Sequence, residues 1–371
     1  MRLAERRPIW PMVKQRLAVF DGPLVLIMGL LLSVGLVTLY SAGIDLPGIV
    51  ENQVRNILVA IVVMWLTANV KPQTLMRFAV PVYTMGIVLL IAVALFGTVK
   101  LGARRWLNLG VANFQPSEIM KIAMPLMLAW FFQKREGLIH WREFTVAALL
   151  LAVPVGLIAK QPDLGTALLV LAAGFYIIFL AGLSWRVLIG LAVAVAASLP
   201  VVWSVLHPYQ RERIMMLIDP SSDPLGKGFH IIQSTIAVGS GGITGKGWLQ
   251  GTQAHLEFIP ERTTDFIFAV FSEEFGLIGN IVLMVLYLFL IGRGLVIAAN
   301  APTFFTRLLA GAITMIFFTY AFVNMGMVSG ILPVVGVPLP FMSYGGTSLL
   351  TLGLGAGMLM SIQKNRKLVQ S

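Results

Sequence analysis

The residues best equipped for chemistry lie in 260–277, which reads PERTTDFIFAVFSEEFGL. A loop with Glu261, Arg262 and Asp265 runs into an apolar stretch carrying two more carboxylates, Glu273 and Glu274. An ionised group at membrane depth costs roughly 2.5–3.5 kcal/mol on insertion scales, so each needs a partner, a wet cavity or a task. Asp265 stands where the loop becomes a helix. A carboxylate at an outer cavity can act as general base toward a hydroxyl; in a first helical turn it can equally be held by the helix dipole alone. Ser272 falls nearly on the Asp265 face, Glu273 about 80° away and Glu274 opposite. One of the two glutamates is therefore expected to serve packing or helix pairing.

Four other segments carry polar chemistry. Lys100–Trp106 (KLGARRW) places cations on a loop expected to face outward, which suits an anionic ligand or phospholipid heads. Trp106 there can stack on a sugar or sit among headgroups. Phe114–Glu118 opens a helix with proline and an early carboxylate, and Lys121 follows on the same face. That spacing gives either a self-neutralising structural pair or a charged pair lining a pocket open to the outer face. Gln161–Gly165 reads as a tight turn with an Asx cap. Pro338–Gly346 (PLPFMSYGG) offers exposed N–H groups for an anion or simply a helix break.

These residues must be positioned by membrane helices. The chain of 371 residues is 58% hydrophobic and 12% charged, with mean hydropathy +0.87, far from a soluble domain. Ten apolar runs of spanning length are expected at about 23–43, 53–70, 76–97, 117–133, 144–160, 165–182, 187–206, 264–291, 308–330 and 347–363. An all-α, multi-pass membrane domain over 23–363 follows, between a basic N-terminal segment 1–22, not a cleavable signal, and a tail 364–371. With both termini in the cytoplasm, most of the 27 Lys and Arg residues fall on the cytoplasmic side. The net charge of +11 is then a matter of topology and not of nucleic-acid binding. Two long outer loops remain, 98–116 and 207–263, the second with an amphipathic run near 229–238. There are no cysteines and the four histidines are scattered, which excludes thiolate chemistry and histidine metal clusters. Physics alone gives an outer-side cavity mixing Arg, Lys, Asp and Glu, fit for a transporter or an enzyme of lipid-linked substrates.

Seven ordered strings then resemble the SEDS family of peptidoglycan glycosyltransferases: ARRWLNLG (103–110), FQPSEIMKIA (114–123), QPDLGTALL (161–169), DPLGKGFHIIQSTIAVGSGG (223–242), GKGWLQGTQ (245–253), PERTTDFIFAVFSEE (260–274) and GILPVVGVPLPFMSYGGTS (330–348). GKGWLQGTQ looks more like the elongation branch than the division branch. The resemblance implies the SEDS fold and polymerisation of lipid II on the outer face of the plasma membrane during cell elongation and rod-shape maintenance. The step inverts, forming a β-1,4 bond and releasing undecaprenyl pyrophosphate. It implies catalytic roles for Asp265 and Lys121, and substrate contacts for Trp106, Arg105 and Glu118. Glu273 and Ser343 match motif positions with less defined roles, and Arg211 or Arg213 can add charge stabilisation for the leaving group. Either Asp265 takes the acceptor proton, or it orients the acceptor or holds a metal while Lys121 handles the proton. No tightly bound cofactor is implied; the chemistry works with or without a divalent cation, Mg or Mn. Expected partners are lipid II, a class B penicillin-binding protein supplying transpeptidation, other elongasome proteins and membrane lipids. A lipid II flippase is the rival reading, predicting broken helices near the midplane and access from both faces; a scaffold would leave Asp265 and Lys121 unexplained.

Overall fold

The computed structural model describes residues 19–100, 103–108, 113–206, 208–220, 223, 227–256, 258–259 and 261–366. Ten long helices lie at the ten expected places: α1 (Gly22–Ala42), α2 (Ile49–Ala68), α3 (Pro72–Phe96), α4 (Pro116–Gln133), α5 (Trp141–Lys160), α6 (Leu164–Leu180), α7 (Trp185–Val205), α11 (Ile267–Ala299), α12 (Phe304–Val328) and α13 (Gly346–Arg366). Among the described residues, three shorter helices, α8 (Pro208–Ile218), α9 (Lys227–Ser240) and α10 (Thr252–His255), lie between α7 and α11. Among the described residues, six of these helices are long and apolar enough by themselves to cross a membrane, and α6 is a shorter apolar helix.

The helices that fall short on hydropathy are interior ones. α4 carries Glu118 and Lys121 yet buries most of its residues against α3, α6 and α12. α13, rich in glycine, packs along α2, where Gly353 and Gly357 face the Ala60 and Met64 carbonyls with no room for a side chain. Side chains turned toward protein need not be apolar to suit lipid. α7 is the opposite case: none of its residues whose burial is described is buried, and Leu191, Val193, Val195, Leu199 and Val201 are exposed.

Two features depart from the expected all-helical plan. Part of the 98–116 loop is a small antiparallel sheet, β1 (Thr98–Lys100), β2 (Ala103–Asn108) and β3 (Asn113–Phe114), in the order β1-β2-β3. It pairs Thr98 with Trp106 and Leu107 with Phe114. The amphipathic run 229–238 forms α9, which packs on α11 and α12.

The second departure is a break in α11 at Gly276, where φ is 63° and ψ −160°. The segment after α9 fills it. Lys246 and Gly247 donate their N–H groups to the Glu273 and Glu274 carbonyls, and Leu277 and Ile278 donate to the Gly242 and Ile243 carbonyls, all at 2.9–3.1 Å. Backbone groups orphaned by the break are thus satisfied inside the protein. The approach depends on glycine: a Cβ on Gly245 would sit 2.0 Å from the Glu274 carbonyl oxygen, and one on Gly276 2.3 Å from the Gly245 nitrogen.

Candidate active site

A cavity of about 530 Å³ opens beside the sheet, between the first turns of α4 and α6 and the irregular segment before α13. Arg105 and Trp106 from β2 form one wall, Glu118 and Lys121 another, and Asp163 and Thr166 a third. Gly336 and Pro338 close it on the side of the 261–266 loop.

Lys121 and Glu118 do pair. Nζ lies 2.6 Å from Glu118 Oε1, and Thr351 of α13 donates to Glu118 Oε2 at 3.2 Å. Lys121 is only 4% exposed and its ammonium stands 5.3 Å from the Tyr320 ring centroid. A buried pair of this kind is costly unless satisfied on several sides; here three helices satisfy it, and its open side is the cavity. The two readings of Glu118–Lys121 are therefore compatible: the pair is self-neutralising and it lines the pocket.

Arg105 is aimed by the turn between α5 and α6. Its guanidinium donates to the Pro162 carbonyl and, at 3.5 Å, to that of Gln161. Asp163 caps α6 through the Thr166 N–H, as expected, and also accepts from Gln115 at 2.9 Å. That turn, read from sequence as purely structural, is a cavity wall.

Asp265 is held by its backbone. The carbonyls of Thr263, Thr264 and Asp265 accept in succession from Tyr344 N–H (2.9 Å), Ser343 Oγ (2.7 Å) and Asn324 Nδ2 (2.8 Å). Arg262 ties the same loop to the end of α1, donating to the Ala42 carbonyl at 2.7 Å and to Asp45 at 3.1 Å. The side chain is left free for other work: the N-cap of α11 is Phe266, so Asp265 is no helix cap, and among the described residues no donor pairs with its carboxylate. It faces Gly336, where an added Cβ would stand 3.3 Å from Oδ2. Asp265 thus adjoins the cavity wall without being one of the residues that enclose it. Burial, with Glu261 nearby, pushes its carboxyl up from 3.8 to about 6.

Other sequence candidates lie elsewhere. Glu273 is fully buried and taken up by Lys246 Nζ (2.6 Å), Thr252 Oγ1 (3.0 Å) and Gln253 N–H (3.1 Å). Glu274 accepts from Ser41 of α1 and from Leu249 N–H. Both glutamates clamp the 245–253 loop and α1 to α11; neither lines the cavity. Ser343 is likewise a backbone tie, accepting from Leu339 N–H and donating to Thr264 O, and so acts behind Asp265. Arg211 donates to the Ser204 carbonyl, joining α8 to α7 away from the cavity. The Arg213 side chain lies outside the described residues. Among the described residues, no three His, Asp or Glu side chains cluster as a metal site; Asp265 with Glu261 offers two carboxylates, enough for Mg²⁺ only with substrate oxygens completing the shell.

A family model described as cell cycle protein, covering the FtsW, RodA and SpoVE group, matches residues 17–368. The chain belongs to the FtsW–RodA–SpoVE family. Within that family, peptidoglycan glycosyltransferase MrdB of Escherichia coli K12 is 52% identical over 348 residues, covering 93% of this chain and 94% of that one. Peptidoglycan glycosyltransferase RodA of Treponema pallidum is 32% identical, covering 92% and 97%. Among solved structures, the RodA of Thermus thermophilus superposes with TM-score 0.70 at 28% identity, covering 94% of this chain and 97% of that one. A chain of a peptidoglycan synthase complex, described for its coordination of polymerization and crosslinking, superposes with TM-score 0.82 at 36% identity, covering 94% and 98%.

Sequence reasoning missed Asn324 as a site residue of this family member. It is completely buried, and its amide also donates to the Val337 carbonyl at 2.7 Å, joining both sides of the Asp265 loop. The signal was there: an amide inside an apolar run of spanning length is expensive and calls for an explanation.

Proposed function

We propose that this peptidoglycan glycosyltransferase polymerises lipid II, with Asp265 as the base and Lys121, Arg105 and Trp106 as the donor-side contacts. The 4-hydroxyl of an acceptor GlcNAc attacks the anomeric carbon of the donor MurNAc. The new O4–C1 bond forms as the C1–O bond to pyrophosphate breaks, the acceptor proton passes to Asp265, and undecaprenyl pyrophosphate leaves. A single displacement of an α-linked leaving group gives the β-1,4 linkage. The leaving group already carries charge and needs stabilisation more than protonation. Arg105 and Lys121 both line the cavity for that purpose, and Trp106 offers a face on which a sugar can stack.

The observation that carries this reading is the convergence of distant segments: a sheet arginine and tryptophan and an α4 ion pair line one cavity, and a loop carboxylate adjoins its wall at Gly336. Between the two candidates for the base, Lys121 is committed as a cation to Glu118 at 2.6 Å. Among the described residues Asp265 has no such partner, and its carboxyl stands at about 6, near the range in which a base works best at neutral pH. Where a divalent cation takes part, Asp265 and Glu261 would hold it and it would neutralise pyrophosphate charge. The cavity opens to the outer face, both termini lie in the cytoplasm, and lipid-facing helices dock a class B penicillin-binding protein that cross-links the product within the elongation machinery.

The test is polymerisation by the purified protein with its transpeptidase partner, supplied with lipid II. Glycan strands are expected from the native chain and not from Asp265→Ala. Equal polymer from both removes Asp265 from the mechanism. No polymer from either, with lipid moved between leaflets, favours transport instead.

A further inference from the structure

A second polar cavity, of about 910 Å³, lies at the other end of the bundle from Asp265. It sits among the α2–α3 link, the end of α4, the α11–α12 link and the end of α13. Lys71 and Arg77 come from one side and Lys134 from another, and among the described residues no Asp or Glu lines it. Among the described residues none of these three cations has a carboxylate within ion-pair distance, whereas the buried cation of the polymerising site does. The nearest acid in sequence, Glu136, is exposed, accepts from Gln133 Nε2 at 2.6 Å and does not line the cavity. Gln73 and Thr74 add neutral donors. α3 begins here at Pro72 without a side-chain cap, so its positive end adds to the field.

A topological excess of positive charge on one face explains cations scattered along loops. It does not explain three that converge on one concavity with no acid among the described residues lining it. We propose that this cleft binds the phosphate headgroup of an anionic phospholipid. A phosphodiester supplies the missing negative charge and acceptor oxygens for Lys71, Arg77, Lys134 and Gln73. Phe78 follows Arg77 on α3 and is 56% exposed, an apolar surface that acyl chains can cover, which favours a lipid over a soluble phosphate.

The experiment is native mass spectrometry of the full-length protein in detergent, titrated with short-chain phosphatidylglycerol, phosphatidylcholine of equal chain length, or inorganic pyrophosphate. Saturable retention of phosphatidylglycerol is expected, with phosphatidylcholine and pyrophosphate retained at least tenfold more weakly. At about fivefold per cation, Lys71→Gln with Arg77→Gln and Lys134→Gln should weaken it about 100-fold, while the charge-preserving Lys71→Arg, Arg77→Lys, Lys134→Arg variant binds within a few-fold of native. Unchanged lipid II polymerisation by the neutralised variant shows that it is folded. Equal phosphatidylglycerol binding by native and neutralised forms overturns the proposal; so does phosphatidylcholine binding as tightly, or tighter retention of pyrophosphate than of lipid.

Discussion

Replacing Asp265 by asparagine should make the protein more stable while abolishing polymerisation. Burial and Glu261 raise its carboxyl from 3.8 to about 6. At about 1.4 kcal/mol per tenfold change, keeping it ionised at neutral pH costs the folded state at most about 3 kcal/mol, and about 1–2 kcal/mol once its partial contact with solvent is allowed for. Asparagine has the same shape without the charge and removes that cost. Because the folded form takes up the proton at higher pH than the unfolded form, native stability should rise as pH falls through about 6 toward 3.8, and this slope should vanish in Asp265→Asn. Activity should move the other way: kcat/KM should fall tenfold per pH unit below about 6 as the base is protonated. Thermal unfolding of the detergent-solubilised protein across pH 4–8, beside lipid II polymerisation over the same range, measures both. An Asp265→Asn variant less stable than native at pH 7.5, or an acid limb near 4, would refute the argument that desolvation sets this carboxylate.

Three other outcomes follow from the same contacts. Asn324→Ala leaves two buried carbonyls, of Asp265 and Val337, without their donor; at about 1–3 kcal/mol each, stability should drop measurably in thermal unfolding and kcat should fall more than KM rises. Lys246→Met should cost about 1–3 kcal/mol by leaving the buried Glu273 charge with only Thr252 and Gln253 as donors, and adding Glu273→Gln should recover most of it in a double-mutant cycle. Gly276→Ala forces a Cβ against the Gly245 nitrogen at positive φ and should sharply reduce folded yield, while Gly239→Ala, with open space around it, should not; size-exclusion profiles of the two compare them directly.

Helix count and order were legible because twenty apolar residues in a row have few uses other than spanning a membrane. The ends were less so: α11 begins at Ile267 rather than 264, and continues to Ala299 past the expected 291. Lys121 and Glu118 could be paired from spacing because i, i+3 neighbours meet on any helix. Glu273 and Ser343 could not be assigned, since their partners come from Lys246 and Thr264, at separations of 27 and 79 residues that no local rule reaches. The strands of 98–114 are too short and too polar for period-two alternation to stand out. The break at Gly276 was hidden because one glycine among apolar residues reads as a tolerated helix position; only the glycines at 241, 242 and 245, brought there by the fold, give it meaning.

That splice bears on how a deep wet hollow coexists with an energised bilayer. Half-helix ends pointing into an opening are where carriers seat and pass ions. Here the amides of Leu277 and Ile278 and the carbonyls of Glu273 and Glu274 are all consumed by the chain's own main chain. The main chain at the interruption therefore leaves no open dipole end on which an ion could sit. Sugar can be joined on one side of the membrane while the voltage across it is kept.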